Sequence, residues 1–222
     1  MVSRELVQKA KAFHGHVCPF LVLGLRATEI GFSKLGLRRP GEAETIREDV
    51  IAIVEANNCF ADGVQVASGC TLGNNSLIYL DTGKNAVTFY RRDTGKGVRI
   101  YVHSDKVREL FPSRGSELWR KVVVERKGSK EEAEELAKIW EEIGYKMADL
   151  SEEFFKIEEV SLKQVIERAP IFESVRCVSC GELVRADRVF YLDGKPYCAK
   201  CAGLDVPAVI GRGIVNSFHV PF

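Results

Sequence analysis

No apolar run in these 222 residues approaches the length that crosses a bilayer, and the opening Met1-Val-Ser-Arg-Glu5 carries charge where a secretory signal would be apolar. No membrane association is expected, and a cytoplasmic location is. Net charge is almost absent as well. Thirty-two basic and 31 acidic residues leave +1, which argues against a strongly electropositive nucleic-acid surface while leaving room for a local patch. There is no internal repeat and no low-complexity tract. Glutamine is scarce, three residues beside many Lys and Glu, a composition that leans toward a thermophilic source. What is present is a hydrophobic content of 45%, enough for a real core, in a length that suits one medium domain plus a small module. The seven cysteines are an odd number; without a signal segment they read better as ligands or nucleophiles than as bridges.

Four of those cysteines form the strongest pattern in the chain. Cys177 and Cys180, then Cys198 and Cys201, make two C-x2-C pairs at a separation that suits one tetrahedral zinc ion. Gly181 gives the first knuckle its conformational freedom. Between the pairs, residues 184–192 have strand character and Asp193-Gly194 signals a hairpin. Cys198-Ala-Lys-Cys201 is expected to open a short helix, completing a treble-clef or zinc-ribbon outline. Two disulfides or four unrelated thiols are the competing reading, and the spacing disfavours them.

Upstream, Ser3 is placed to cap a helix whose Leu6, Val7, Ala10 and Phe13 share one face, stopping at His14-Gly15-His16. Pro19 fits the first turn of a second helix over 19–36, with Leu21, Leu25 and Ile30 inward and Gly36 as terminator. The β-branched run in 46–56 predicts a buried strand, followed by a short helix over 60–68. Further strands are expected at 76–81, 86–91 and 98–103, separated by turns. Ser129 and Glu132 form a capping box ahead of an amphipathic helix containing Leu136, Trp140, Ile143 and Met147. Gly144 weakens its last turn by about 1 kcal/mol relative to Ala. Ser161 and Gln164 repeat the box signature. Trp119 and Trp140 fit helix packing, and His103 a structural place. Strands first and helices later predict an α+β fold, an antiparallel or mixed sheet packed with helices. The expected domains are 1–170, the core, and 171–222, the finger with an apolar tail.

A second constellation lies near the N-terminus. In an extended stretch His14, His16 and Cys18 project to one side. Pro19 makes Cys18 the expected N-cap, where unpaired amides and the positive helix end favour a thiolate. Cys59, after Asn57-Asn58, also precedes a helix, and Asp62 one turn later is placed to orient a ligand or accept a proton. Two thiols and one or two imidazoles make a soft site for zinc or a similar transition metal. Each residue also fits a blander role. A buried Cys can be a small hydrophobe, His14 can close the first helix, and Asp62 and Gln65 can be exposed helix polar residues. Cys70, before Thr71-Leu-Gly73-Asn-Asn75, sits in a loop able to offer amides to an anion, though a plain turn accounts for it. His219 lies in the apolar tail, which fits packing on its own domain or a neighbour.

His14-Gly-His-Val-Cys-Pro19 with Leu23-Gly-Leu-Arg26 resembles the opening motif of the FmdE family, named for formylmethanofuran dehydrogenase. Cys59-Phe-Ala-Asp62 with Gln65, then Gly69-Cys-Thr-Leu-Gly73, resembles its second motif, the likeness spanning about residues 10–105. The resemblance implies an α+β core, a homodimer, and a metal site of His16, Cys18 and Cys59, with His14, Asp62 and Cys70 nearby. Other formylmethanofuran dehydrogenase subunits are the implied partners. The dehydrogenase captures carbon dioxide on methanofuran with molybdenum or tungsten pterin and iron–sulfur centres on those other subunits. This chain has neither a ferredoxin-type cysteine run nor a recognisable pterin-binding segment, so that redox step is not expected of it alone. The cofactors expected are structural Zn2+ in the finger and a second transition metal, zinc by preference, in the core. As an enzyme it would use that metal as Lewis acid or water activator, with Cys18 as ligand and Asp62 as proton acceptor. A regulatory or nucleic-acid-binding role for the finger is the alternative. Arg176, Arg185, Arg188, Lys195 and Lys200 give it some positive charge, but Glu173, Glu182, Asp187 and Asp193 offset them. A third reading makes Cys18 a metal-free nucleophilic or redox thiol assisted by His16.

Overall fold

Short polar caps set the helices that carry the N-terminal constellation. The Ser3 hydroxyl accepts from the Leu6 amide at 3.1 Å and starts α1 (Arg4–His14), which ends at Gly15 with φ of 97°. That left-handed turn is one glycine adopts without strain. Val7 and Ala10 are buried as expected, but Phe13 is 58% exposed, because its position rotates off the packed face beyond the last buried turn. Cys18 is extended at φ of −137°, and Pro19 opens α2 (Pro19–Lys34). The missing proline N–H costs nothing at this position.

The computed structural model describes residues 1–161 and 166–219, and the chain divides into two compact units, Met1–Val165 and Ile166–Phe222. After α2 the first unit runs through α3 (Glu42–Ile46), β1 (Val50–Val54), α4 (Cys59–Ser68), β2 (Leu77–Tyr79), β3 (Ala86–Arg91) and β4 (Lys96–Val102). Then come α5 (Ser104–Arg108), α6 (Ser113–Trp119), a π-helical turn (Arg120–Val124), α7 (Lys130–Met147) and β5 (Phe155–Ser161). The sheet order is β2-β1-β3-β4-β5. β1 pairs β2 in parallel and every other pairing is antiparallel, so the expected α+β fold is a mixed sheet with helices. Val54, Phe89 and Ile100 from the sheet share one apolar cluster with Leu21, Leu25 and Phe60 from the helices.

Several expectations are corrected. The strand placed in 46–56 is shorter, because Glu42–Ile46 is a helical turn closed by the Glu44 carboxylate on the Gly41 amide at 3.1 Å, with Ile46 82% exposed. The chain does not simply turn from strands to helices: β5 follows α7 and closes the sheet on β4, pairing Phe155 with Val102. Ser161 ends β5, and the rest of the second capping-box signature lies outside the described residues. The Ser129–Glu132 box forms as read. Gly144 has a packing reason, since a Cβ there would lie 2.7 Å from Val17 Cγ1. Trp140 is buried whereas Trp119 is 46% exposed. His103 caps α5 and meets the Tyr101 ring edge-on at 5.5 Å between centroids.

The second unit, taken by itself, is built of short hairpins. β6 (Ser174–Arg176) pairs β7 (Leu183–Arg185), and β8 (Phe190–Leu192) pairs β9 (Lys195–Tyr197). A 3-10 turn at Ala186–Arg188 breaks the stretch expected to be continuous. Asp193 and Gly194 both have positive φ, 50° and 73°, the twist that a two-residue hairpin needs. Cys198–Cys201 forms a turn, not the expected helix, as the Cys201 amide donates to Cys198 Sγ at 3.4 Å. The apolar tail folds back on itself as β10 (Val206–Ile210) and β11 (Gly213–Phe218), with His219 Nδ1 3.4 Å from Asp205.

Candidate metal centre

Two helix starts and one helix end converge on the core site. His14 closes α1, Cys18 caps α2, Cys59 opens α4, and His16 lies in the link between the first two. Ligand atoms of His14, His16 and Cys18 lie within 4.8 Å of one another, and the two imidazole centroids are 4.6 Å apart. Cys59 faces both the Cys18 thiol and His14. What sets this convergence is the contact of α2 with α4. A Cβ on Gly24 would lie 2.2 Å from the Phe60 carbonyl oxygen, and one on Gly63 would lie 2.1 Å from that of Leu21. The two backbones therefore touch, and their N-terminal thiols meet. Sequence reasoning missed these glycines; a Gly inside an apolar helical run was the one trace available.

Asp62, on the first turn of α4, holds His14 Nδ1 through Oδ2 at 2.7 Å. A carboxylate only accepts, so Nδ1 carries the hydrogen and Nε2 is left with its lone pair. Nε2 is buried and has no hydrogen-bond partner. An orphaned buried nitrogen costs about 1–3 kcal/mol, and one aimed among thiols, with its opposite nitrogen tied to a carboxylate, has the form of a metal ligand. The donor set of imidazole and sulfur fits a soft or borderline ion such as zinc.

The thiols are unequal. The hydrogen bond from Cys18 stabilises the Cys59 thiolate, and with help from His14 brings its pKa down to about 6 against the opposing effect of burial. Cys18 shifts the other way, raised first by its bond to Cys59 and then by burial, while the amides of Leu21 and Phe20 favour its thiolate less strongly. The pair thus holds one proton between two sulfurs. Burial and then the His14 ring lower the His16 pKa, although the residue as a whole is exposed. The pocket is therefore open on the His16 side.

Cys70 is not part of the gathered set. Its thiol donates to the Val50 carbonyl at 3.5 Å, and burial pushes its pKa up to about 11. The following loop is a plain turn: Asn74 Oδ1 accepts from the Thr71 and Ser76 amides at 2.9 and 3.2 Å, so those amides are spent. A cleft of about 630 Å3 elsewhere is walled by Arg38, Arg47 and Arg91 with Glu44, Asp49 and Asp93, and none of the His/Cys cluster lines it.

In the second unit the sulfurs of Cys177, Cys180, Cys198 and Cys201 lie within 4.8 Å of one another. Cys180 and Cys198 are 3.9 Å apart, close to the roughly 3.8 Å edge of a tetrahedron with zinc–sulfur bonds of about 2.3 Å. Amides of Cys180 and Cys198 lower the Cys177 pKa to about 6, so this group supplies thiolate readily.

An α+β core with a His/Cys pocket at three helix ends, plus a four-cysteine module, defines a class of candidate metalloprotein. The chain belongs to the FmdE family: the family described as "FmdE, Molybdenum formylmethanofuran dehydrogenase operon" matches residues 13–156. It is similar to the crystal structure of an FmdE-like protein of tungsten formylmethanofuran dehydrogenase from Syntrophus aciditrophicus, with TM-score 0.57 and 26% identity, over 90% of this chain and 91% of that one. It is also 55% identical over 212 residues, 96% of its length, to a protein of Archaeoglobus fulgidus named "Probable S-adenosyl-L-methionine-binding protein". The chain spans 56% of that relative's length. No helix among the described residues is long and apolar enough to cross a membrane.

Proposed function

We propose that this chain is a metal-binding accessory protein of formylmethanofuran dehydrogenase chemistry, acting in one-carbon metabolism as the FmdE component of such a complex or as a close relative of it. His14, His16, Cys18 and Cys59 hold one transition metal, zinc by donor chemistry, and the four terminal cysteines hold a structural zinc. The observation that carries the reading is the buried, partnerless His14 Nε2 beside Cys18 and Cys59, with Nδ1 held by Asp62. Bound metal would supply Lewis acidity. The chain's own residues would orient it through Asp62 and leave access on the exposed His16 side. Four protein donors favour a carrier or accessory role over catalysis, which needs an open position. The homodimer and cytoplasmic location implied by the sequence reading belong to this proposal.

Metal analysis with anomalous scattering tests it. Native protein is expected to hold about two metals per chain and the Cys18→Ser variant about one, because the ligand sets are separate. A single ion per chain, unchanged by the substitution, would remove the core site from the reading.

A further inference from the structure

Helix α4 sorts its side chains into two stripes. Phe60, Gly63, Val64 and Ala67 are buried, while Cys59, Asp62 and Gln65 follow at steps of three along another face. Along that face the contacts are continuous. Gln65 Nε2 donates to Asp62 Oδ1 at 3.2 Å, and Asp62 Oδ2 accepts from His14 Nδ1 at 2.7 Å. Each carboxylate oxygen therefore has its own partner. The Asp62 side chain is one-third exposed, so without the amide it could rotate toward water and release the imidazole.

We propose that Gln65 is a positioning residue for the core centre: by holding the second oxygen of Asp62 it fixes the Nδ1–H tautomer and ring direction of His14, keeping the Nε2 lone pair aimed at the metal. The role of that lone pair rests on the metal reading above, whereas the relay from Gln65 to His14 exists in the metal-free protein. An amide suits the task because its N–H2 group donates without neutralising the carboxylate that His14 uses. Partners of this kind outside the ligand set change metal affinity by about 10–100-fold when removed.

The test uses the full chain stripped of metal, with long-range 15N spectra of the histidine rings. Native protein is expected to show His14 as the single Nδ1–H tautomer. Gln65→Met, of similar length but without a donor, should give a mixture of tautomers and weaken zinc binding at the core site about tenfold. Gln65→Lys restores a donor and should restore the tautomer, which mere loss of amide packing would not allow. An unchanged His14 tautomer in Gln65→Met overturns the relay, as does a mixture that lysine fails to correct. If the tautomer responds as expected but zinc never occupies the core site, the relay stands and the metal reading falls.

Discussion

Chelation of metal from this protein is expected to unfold the four-cysteine unit and spare the sheet of the first unit. Among the described residues of Ile166–Phe222, Cys177 and Gly213 alone are buried. Its ladders are mostly three residues long, and isolated hairpins of that size are marginal in water. With no apolar core to hold it, stability must come from the ion, and structural zinc contributes an apparent binding free energy of about 10–16 kcal/mol in small fingers. Hydrogen exchange reads this directly. The amides of Cys177, Val178 and Gly181, bonded to the carbonyls of Glu182, Pro196 and Cys177, should lose protection on treatment with a strong zinc chelator. Those of β1, β3 and β4 should keep theirs, since that sheet is anchored by wholly buried Ile51, Phe89 and Ile100. Cys198→Ser should reproduce the loss without chelator. Persistent protection around Cys177 after complete metal removal would mean that the unit folds by some other means.

The finger was legible because its constraint is local: two thiols on one turn, twice, and a hairpin whose Asp193-Gly194 must take positive φ. Helices α1, α2 and α7 were legible for the same reason, through Ser3, Pro19 and the Ser129–Glu132 box. Elements set by distant partners were not. Phe155–Ser161 interleaves charged residues, Lys156, Glu158 and Glu159, with its apolar ones, and becomes a strand by pairing with β4. The Cys198–Cys201 helix was expected from finger analogy, and the turn that forms instead keeps the Cys201 amide on the Cys198 sulfur. In the core site, the side-by-side placement of His14, His16 and Cys18 follows from alternation in a short extended link. That Cys59 should face them depends on how two helices cross, and Asp62's grip on His14 depends on the same crossing. Spacing along a chain carries no information about that distance.

Gly63→Ala should therefore be among the most damaging single substitutions in the first unit, although it adds one methyl group to a good helix position. The added Cβ would lie 2.1 Å from the Leu21 carbonyl oxygen and 3.0 Å from Gly24 Cα and Leu25 N. All three are backbone atoms, so no side-chain rotation relieves the overlap and α4 must move away from α2. Overpacking of this kind costs about 1–3 kcal/mol where side chains can yield, and more where they cannot. A loss of about 3 kcal/mol lowers the melting midpoint by about 6–12 °C in a chain of this size. The displacement also separates the start of α2 from the start of α4, and so Cys18 from Cys59. The variant should consequently lose the core metal while the finger keeps its own. Gly24→Ala, 2.2 Å from the Phe60 carbonyl, should behave alike. Gly73→Ala, with nothing within 4 Å of its Cβ, should stay within about 0.5 kcal/mol of the native protein. Calorimetry and metal counting on the three variants separate the effect of helix contact from that of glycine loss. A Gly63→Ala protein with native midpoint and both metals would show that the thiols meet for a reason other than this crossing.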